Sequence, residues 1–123
     1  MKKPGKILAV DDNPTICDLI SAIPGYDFVT AIDGQDALEK IAALGIDNFS
    51  LIITDVQMPN LDGQGLITKV HEMDPEKNFI VMSGLTEDDV LVQGALSAAH
   101  GKAIFMNKPF GISELMKKIM GLT

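Results

Sequence analysis

Apolar residues along this chain follow two alternating rhythms. Short unbroken runs, Ile7-Leu8-Ala9-Val10, Leu51-Ile52-Ile53, Ile80-Val81-Met82 and Ala103-Ile104-Phe105-Met106, have strand length and no polar face, the pattern of strands covered on both sides. Between them, apolar residues recur three and four apart, as on one face of a helix. Strands are therefore expected at residues 6–10, 27–31, 49–54, 78–83 and 102–107. Asn13-Pro14 is a helix start, and Ile16, Leu19, Ile20 and Ile23 form its stripe until Pro24-Gly25 stops it. Asp33-Gly34 opens a second helix with Ala37, Leu38, Ile41 and Ala42 inward. Asp62-Gly63 caps a third, with Leu66, Ile67, Val70 and Met73 as its buried positions and Asp74-Pro75 as its end. Residues 90–100 and 112–120 complete the set.

Strict alternation of strand and helix indicates a parallel sheet with helices on both faces, and right-handed crossovers leave few topologies. The expected fold is α/β: a doubly wound sheet of five parallel strands with five helices. In such sheets ligands bind beyond the carboxyl ends of the strands, where the winding reverses. Those ends hold the chemistry here. The first strand runs into Asp11-Asp12, the third into Asp55, and the fifth into Asn107-Lys108-Pro109.

Composition narrows the reading. The chain has 123 residues, 46% of them hydrophobic, enough for one core, so residues 1–123 read as a single domain. A net charge of -7 argues against direct nucleic-acid binding, and the longest basic runs are Lys2-Lys3 and Lys117-Lys118. The single cysteine, Cys17, cannot form an internal disulfide and reads as a packed small hydrophobe. Without a secretory pattern or an apolar stretch of membrane-spanning length, a soluble cytoplasmic protein is expected. His71 and His100 have no partner at ligand spacing and read as surface or edge residues.

Asp11, Asp12 and Asp55 brought together would repel unless a cation sat among them. Mg²⁺ suits such a set, being a hard ion that takes oxygen ligands and is commonly shared between carboxylates and phosphate oxygens. A carboxylate can itself attack phosphorus and form an aspartyl phosphate while a metal and a lysine neutralise charge on the transferred group. Asp55, alone at the end of the central strand, is the best nucleophile.

With Asp11-Asp12, Asp55 within "ITDVQMP", Asp62-Gly63, Ser83-Gly84, Phe105 and "NKPF" at 107–110 in this order, the whole chain resembles a response-regulator receiver domain of two-component signalling, chemotaxis-regulator-like. The resemblance implies a flavodoxin-like sheet of strand order 2-1-3-4-5. It makes Asp55 the phosphoacceptor, and places Mg²⁺ on Asp12, Asp55 and the backbone carbonyl of Gln57, with Asp11 acting through a metal-bound water. Lys108 would contact the phosphoryl group, aimed by a cis Lys108-Pro109 bond. Ser83 would be the switch hydroxyl and Phe105 the switch aromatic, changing the face of the fourth helix, fifth strand and fifth helix on phosphorylation. Implied partners are a sensor histidine kinase or histidine phosphotransfer protein and a downstream protein. No direct contact with nucleic acid or membrane is expected, and the expected state is a monomer or a phosphorylation-dependent dimer.

The chain departs from the family pattern in two places. Pro24-Gly25 shortens the first helix, and residues 84–89 lengthen the approach to the fourth. No output domain is expected after the fifth helix, and the domain is read as a signalling module with self-phosphorylation and autodephosphorylation rather than as an enzyme. Two other functions compete. An aspartyl-phosphate phosphatase would want a second acid two residues after its nucleophile, where Gln57 or Asn13 stands. A receiver-like binding module that is never phosphorylated has no need of the full set of polar groups present.

Overall fold

A computed structural model describes residues 5–123; Lys2-Lys3 lies outside the described residues. Strands β1 (Lys6–Val10), β2 (Phe28–Ala31), β3 (Phe49–Asp55), β4 (Phe79–Ser83) and β5 (Ala103–Asn107) alternate with helices α1 (Pro14–Ser21), α2 (Gly34–Leu44), α3 (Gly63–Met73), α4 (Val90–Ala98) and α5 (Ile112–Leu122). All pairings are parallel, in the order β2-β1-β3-β4-β5. The doubly wound fold and its strand order are therefore as expected. A short 3-10 turn at Ile46–Asn48 precedes β3.

The sheet divides the core in two. Leu8, Val10, Ile52 and Val81 pack with α2, α3 and α4, whereas Ile7, Ala9, Ile53 and Met82 pack with α1 and α5. Alternate residues of one strand thus serve opposite layers, which is why these strands carry no polar face. Helix starts follow the local chemistry of their caps. Asn13, Asp33, Asp62 and Asp89 each accept a backbone N–H of the first turn, with about 1 kcal/mol typical of such a cap.

Three inward assignments are corrected. Leu19, Ala42 and Met73 face solvent. Cys17 occupies the inner face of α1 in place of Leu19, because an eight-residue helix has room for one narrow stripe. Ala42 and Met73 stand in the last turns of α2 and α3, beyond the last buried positions Ile41 and Val70. The fourth helix ends at Ala98 rather than 100: His100 takes φ 48 and Gly101 φ 84, a left-handed turn into β5. His71 and His100, separate in sequence, stack with ring centroids 6.5 Å apart, and His71 Nε2 lies 3.0 Å from the carbonyl of Lys77. Lys77 itself is buried and donates to the carbonyl of Phe49, tying the segment between α3 and β4 to the start of β3. Among the described residues no helix is long and apolar enough to cross a membrane.

Candidate functional site

The carboxyl ends of β1, β3 and β5 converge. One carboxylate oxygen from each of Asp11, Asp12 and Asp55 lies within 4.8 Å of the others. Asp11 is 1% exposed and Asp55 9%, while Asp12 is open to solvent. Lys108 Nζ donates to Asp11 Oδ2 at 2.7 Å and to Asp55 Oδ2 at 3.1 Å. The backbone N–H of Asn13 donates to the other oxygen of Asp11 at 2.9 Å. The Lys108-Pro109 peptide is cis.

Charge at this rim is unbalanced. Three carboxylates face one ammonium, and burial lifts the Asp55 carboxyl above its ordinary value, against the charge and hydrogen bond of Lys108 and with the help of the Asp11 charge. Lys108 gains where Asp55 loses. Burial alone would lower its pKa, but the hydrogen bond to Asp11, the Asp55 charge and their companion interactions outweigh that and raise it. The asymmetry follows from geometry, since the lysine holds two carboxylates while Asp55 shares one cation with a neighbouring acid. All-oxygen donors, excess negative charge and one exposed member fit a hard divalent cation such as Mg²⁺.

Backbone packing fixes where Asp55 ends. Gly63, the first residue of α3, sits so close to the strand end that a Cβ there would lie 2.5 Å from the Asp55 carbonyl oxygen, and its N–H bonds the Val56 carbonyl at 2.9 Å. The loop between them is tied to α2. Asn60, at φ 67, donates from its amide to Asp33 Oδ2 at 2.7 Å, and Gly34 N–H bonds the Leu61 carbonyl at 3.0 Å. The Asp36 N–H and then the Asn60 amide hold the Asp33 carboxyl below its ordinary value. Gln57 lies exposed on this loop, at an open groove that also takes in Val56, Met58, Asp62 and Leu91. Cys17 is buried, its thiol 3.4 Å from the Asp11 carbonyl, and burial followed by the Asp11 charge pushes its pKa up. Its thiol lies among the carbonyls of Ala9, Asp11 and Ala31.

Ser83 and Phe105 stand on neighbouring strands in another layer. Phe105 pairs with Val81, is half-buried and packs on the α2-α3-α4 side of the sheet. Ser83, two residues past Val81, is 2% exposed, and its Oγ accepts the N–H of Leu85 at 3.0 Å. The structure therefore unites Asp11, Asp12, Asp55 and Lys108 directly, with the Ser83 hydroxyl turned into its own loop. Sequence reasoning passed over Asn107 and Gly63. The first was visible only as a neighbour of Lys108, the second as half of a helix-capping pair.

The geometry agrees with known proteins. Residues 7–120 match the response regulator receiver domain family. The chain is 30% identical over 122 residues to the transcriptional regulatory protein TrcR of Mycobacterium tuberculosis, covering 97% of this chain and 45% of that one. It is 29% identical over 122 residues to the chemotaxis protein CheY of Treponema pallidum, covering 94% and 81%. The chemotaxis protein CheY4 of Vibrio cholerae superposes with a TM-score of 0.84 at 26% identity, over 98% of this chain and 100% of that one. The chain thus spans less than half of TrcR and most of CheY.

Proposed function

Because the chain belongs to the response-regulator receiver family of two-component signalling, we propose that it accepts a phosphoryl group on Asp55 from a phosphohistidine donor and answers by repacking the face of α4, β5 and α5. The donor is a sensor histidine kinase or a histidine phosphotransfer protein, met in the cytoplasm, and residues 1–123 act as one receiver unit. One observation carries the reading: a single ammonium, Lys108, hydrogen-bonded to two buried acids of different strands, beside a third acid close enough to share a cation.

In the transfer, an oxygen of the Asp55 carboxylate bonds to phosphorus as the P–N bond of the donor breaks, and the imidazole leaves with its electron pair and takes up a proton. Lys108 favours the ionised, reactive form of Asp55 and remains beside it as a point charge for the arriving oxygens. Mg²⁺ held by Asp12, Asp55 and the Gln57 backbone carbonyl, with Asp11 acting through water, would neutralise further negative charge on the transferred group. The Ser83 hydroxyl, once it releases Leu85, donates to a phosphoryl oxygen, and Phe105 follows into the space it leaves.

Incubation with acetyl phosphate and Mg²⁺ tests this by intact-protein mass. Wild type gains one phosphoryl group, and the Asp55→Asn protein gains none. Labelling that persists in Asp55→Asn overturns the assignment.

A further inference from the structure

Asn107 closes β5 directly opposite Ser83. Its side-chain amide donates one N–H to the Ser83 carbonyl at 2.9 Å and the other to the Leu85 carbonyl at 2.8 Å. Both partners can only accept, so the orientation of the carboxamide is fixed by chemistry. The Ser83 carbonyl also accepts the backbone N–H of Lys108 at 2.7 Å, and Leu85 N–H is held by the Ser83 hydroxyl. Beyond the β4–β5 ladder itself, the hydrogen bonds on residues 83–85 among the described residues come from Asn107, from Lys108 or from Ser83 itself. Gly84, between the two held carbonyls, has nothing within 4 Å of a built Cβ. Leu85 and Phe105 both pack against the same layer of the core.

From this geometry we infer that Asn107 is a positioning residue for the switch: it clamps both carbonyls of the Ser83-Gly84-Leu85 loop, so that rotation of the Ser83 hydroxyl is passed to Leu85 and Phe105 rather than lost in loop motion. The inference rests on the phosphoacceptor reading of Asp55 and adds a part to it. When the hydroxyl turns to the phosphoryl group, the Leu85 N–H loses its partner while its carbonyl stays pinned. The peptide after Gly84 must then pivot, and the Leu85 side chain moves in the core layer that it shares with Phe105. Without the clamp the loop adjusts at exposed Gly84, and the relay fails even though the chemistry at Asp55 proceeds.

Asn107→Asp tests the clamp with almost no change in shape, since a carboxylate offers no donor and repels both carbonyls. Asn107→Thr keeps one donor. The readouts are acetyl-phosphate labelling of Asp55 by mass and the phosphorylation-induced shift of the Phe105 and Leu85 NMR signals, with melting curves to identify folded variants. Labelling of Asn107→Asp is expected within about 3-fold of wild type, with the Phe105 and Leu85 shifts reduced at least 5-fold, and Asn107→Thr in between. In a Ser83→Ala background, adding Asn107→Asp is expected to change the remaining shifts no further, a coupling that general loosening of the fold would not produce. Full shifts in labelled Asn107→Asp, or in Asn107→Thr where the aspartate variant fails to fold, overturn the clamp. Absence of labelling in the wild type overturns instead the reading on which it rests.

Discussion

The ends of β1 and β3 and the ends of β4 and β5 lie on one rim of one sheet, yet they are held by different forces. At the first, buried charges face each other across Lys108. At the second, neutral hydrogen bonds from Asn107 and Ser83 hold a loop. Even the glycines differ: Gly63 is wedged against the Asp55 carbonyl, whereas Gly84 touches nothing. A reactive carboxylate needs fixed surroundings, because small displacements cost large factors in rate. A relay needs an arrangement that can change at low cost. This rim gives the acids to β1 and β3 and the loop clamp to β4 and β5, and Lys108, which follows β5, is the side chain that reaches across.

The most damaging change to the charged side is Lys108→Ala. It strips Asp11 and Asp55 of their common cation and leaves uncompensated buried charge. Labelling by acetyl phosphate is expected to fall about 100-fold, the usual scale for deleting one group that stabilises developing charge, as followed by the initial rate of mass gain. Metal-free stability should fall by about 2 kcal/mol, less than for a fully buried pair because Lys108 is partly open to solvent. An unchanged labelling rate would remove Lys108 from the chemistry.

Gly63→Ala attacks the same side through packing. The added methyl meets backbone at the Asp55 carbonyl, which cannot rotate away, so the start of α3 or the end of β3 must move. A loss of about 2 kcal/mol in urea unfolding is expected, in the range of overpacked cores, together with slower labelling as Asp55 is displaced. If stability falls and labelling does not, the wedge serves the fold alone.

Asp55→Asn removes the acid that burial disfavours, and metal-free stability at neutral pH should rise by about 1 kcal/mol. The sign follows from the raised carboxyl pKa. The folded protein holds that proton more tightly than the unfolded chain, so wild type loses stability as pH climbs from the unfolded value near ~4 through the folded one. The advantage of Asp55→Asn should therefore be small in acid, grow across that window and then level off. Chemical denaturation in chelator at several pH values measures it; an advantage largest in acid would contradict the buried-charge account.

These forces were not equally legible in the sequence. The inner strands β1, β3 and β4 declare themselves because both faces are buried, whereas the edge strands β2 and β5 are only partly covered; the strand ends deliver Asp11, Asp55 and Lys108 whatever the loops do. The inner faces of α1, α2 and α3 were harder to place, since Leu19, Ala42 and Met73 fit a helical period and only the reach of the sheet decides what it covers. Asn107 and Gly63 owe their meaning to single contacts, with a loop 22 residues away along the chain in one case and with the Asp55 carbonyl in the other. No periodicity encodes such contacts. The resemblance supplied the expected roles of Ser83 and Phe105 but not the Asn107 hydrogen bonds that join their strands.

Gly84→Ala makes the smallest change and the most direct comparison with Gly63→Ala. The same methyl is added at two glycines of the rim, one against backbone and one in open space. Gly84 does not occupy the left-handed backbone region that Gly25, Gly45 and Gly101 use, so alanine can adopt its conformation. Stability should rise by about 0.5 kcal/mol, because alanine restricts the unfolded chain more than glycine does. The kinetic effect should have the opposite character. If the loop pivots at Gly84 when Ser83 turns, a side chain there narrows the accessible backbone and slows the exchange between arrangements without altering attack at Asp55. Relaxation-dispersion NMR on Leu85, beside labelling rates, reads the two separately. Slower exchange with unchanged labelling places the flexible joint at Gly84; unchanged exchange places it further along, in residues 86–89, where Thr86 Oγ1 donates to Asp88 and Asp89 caps α4.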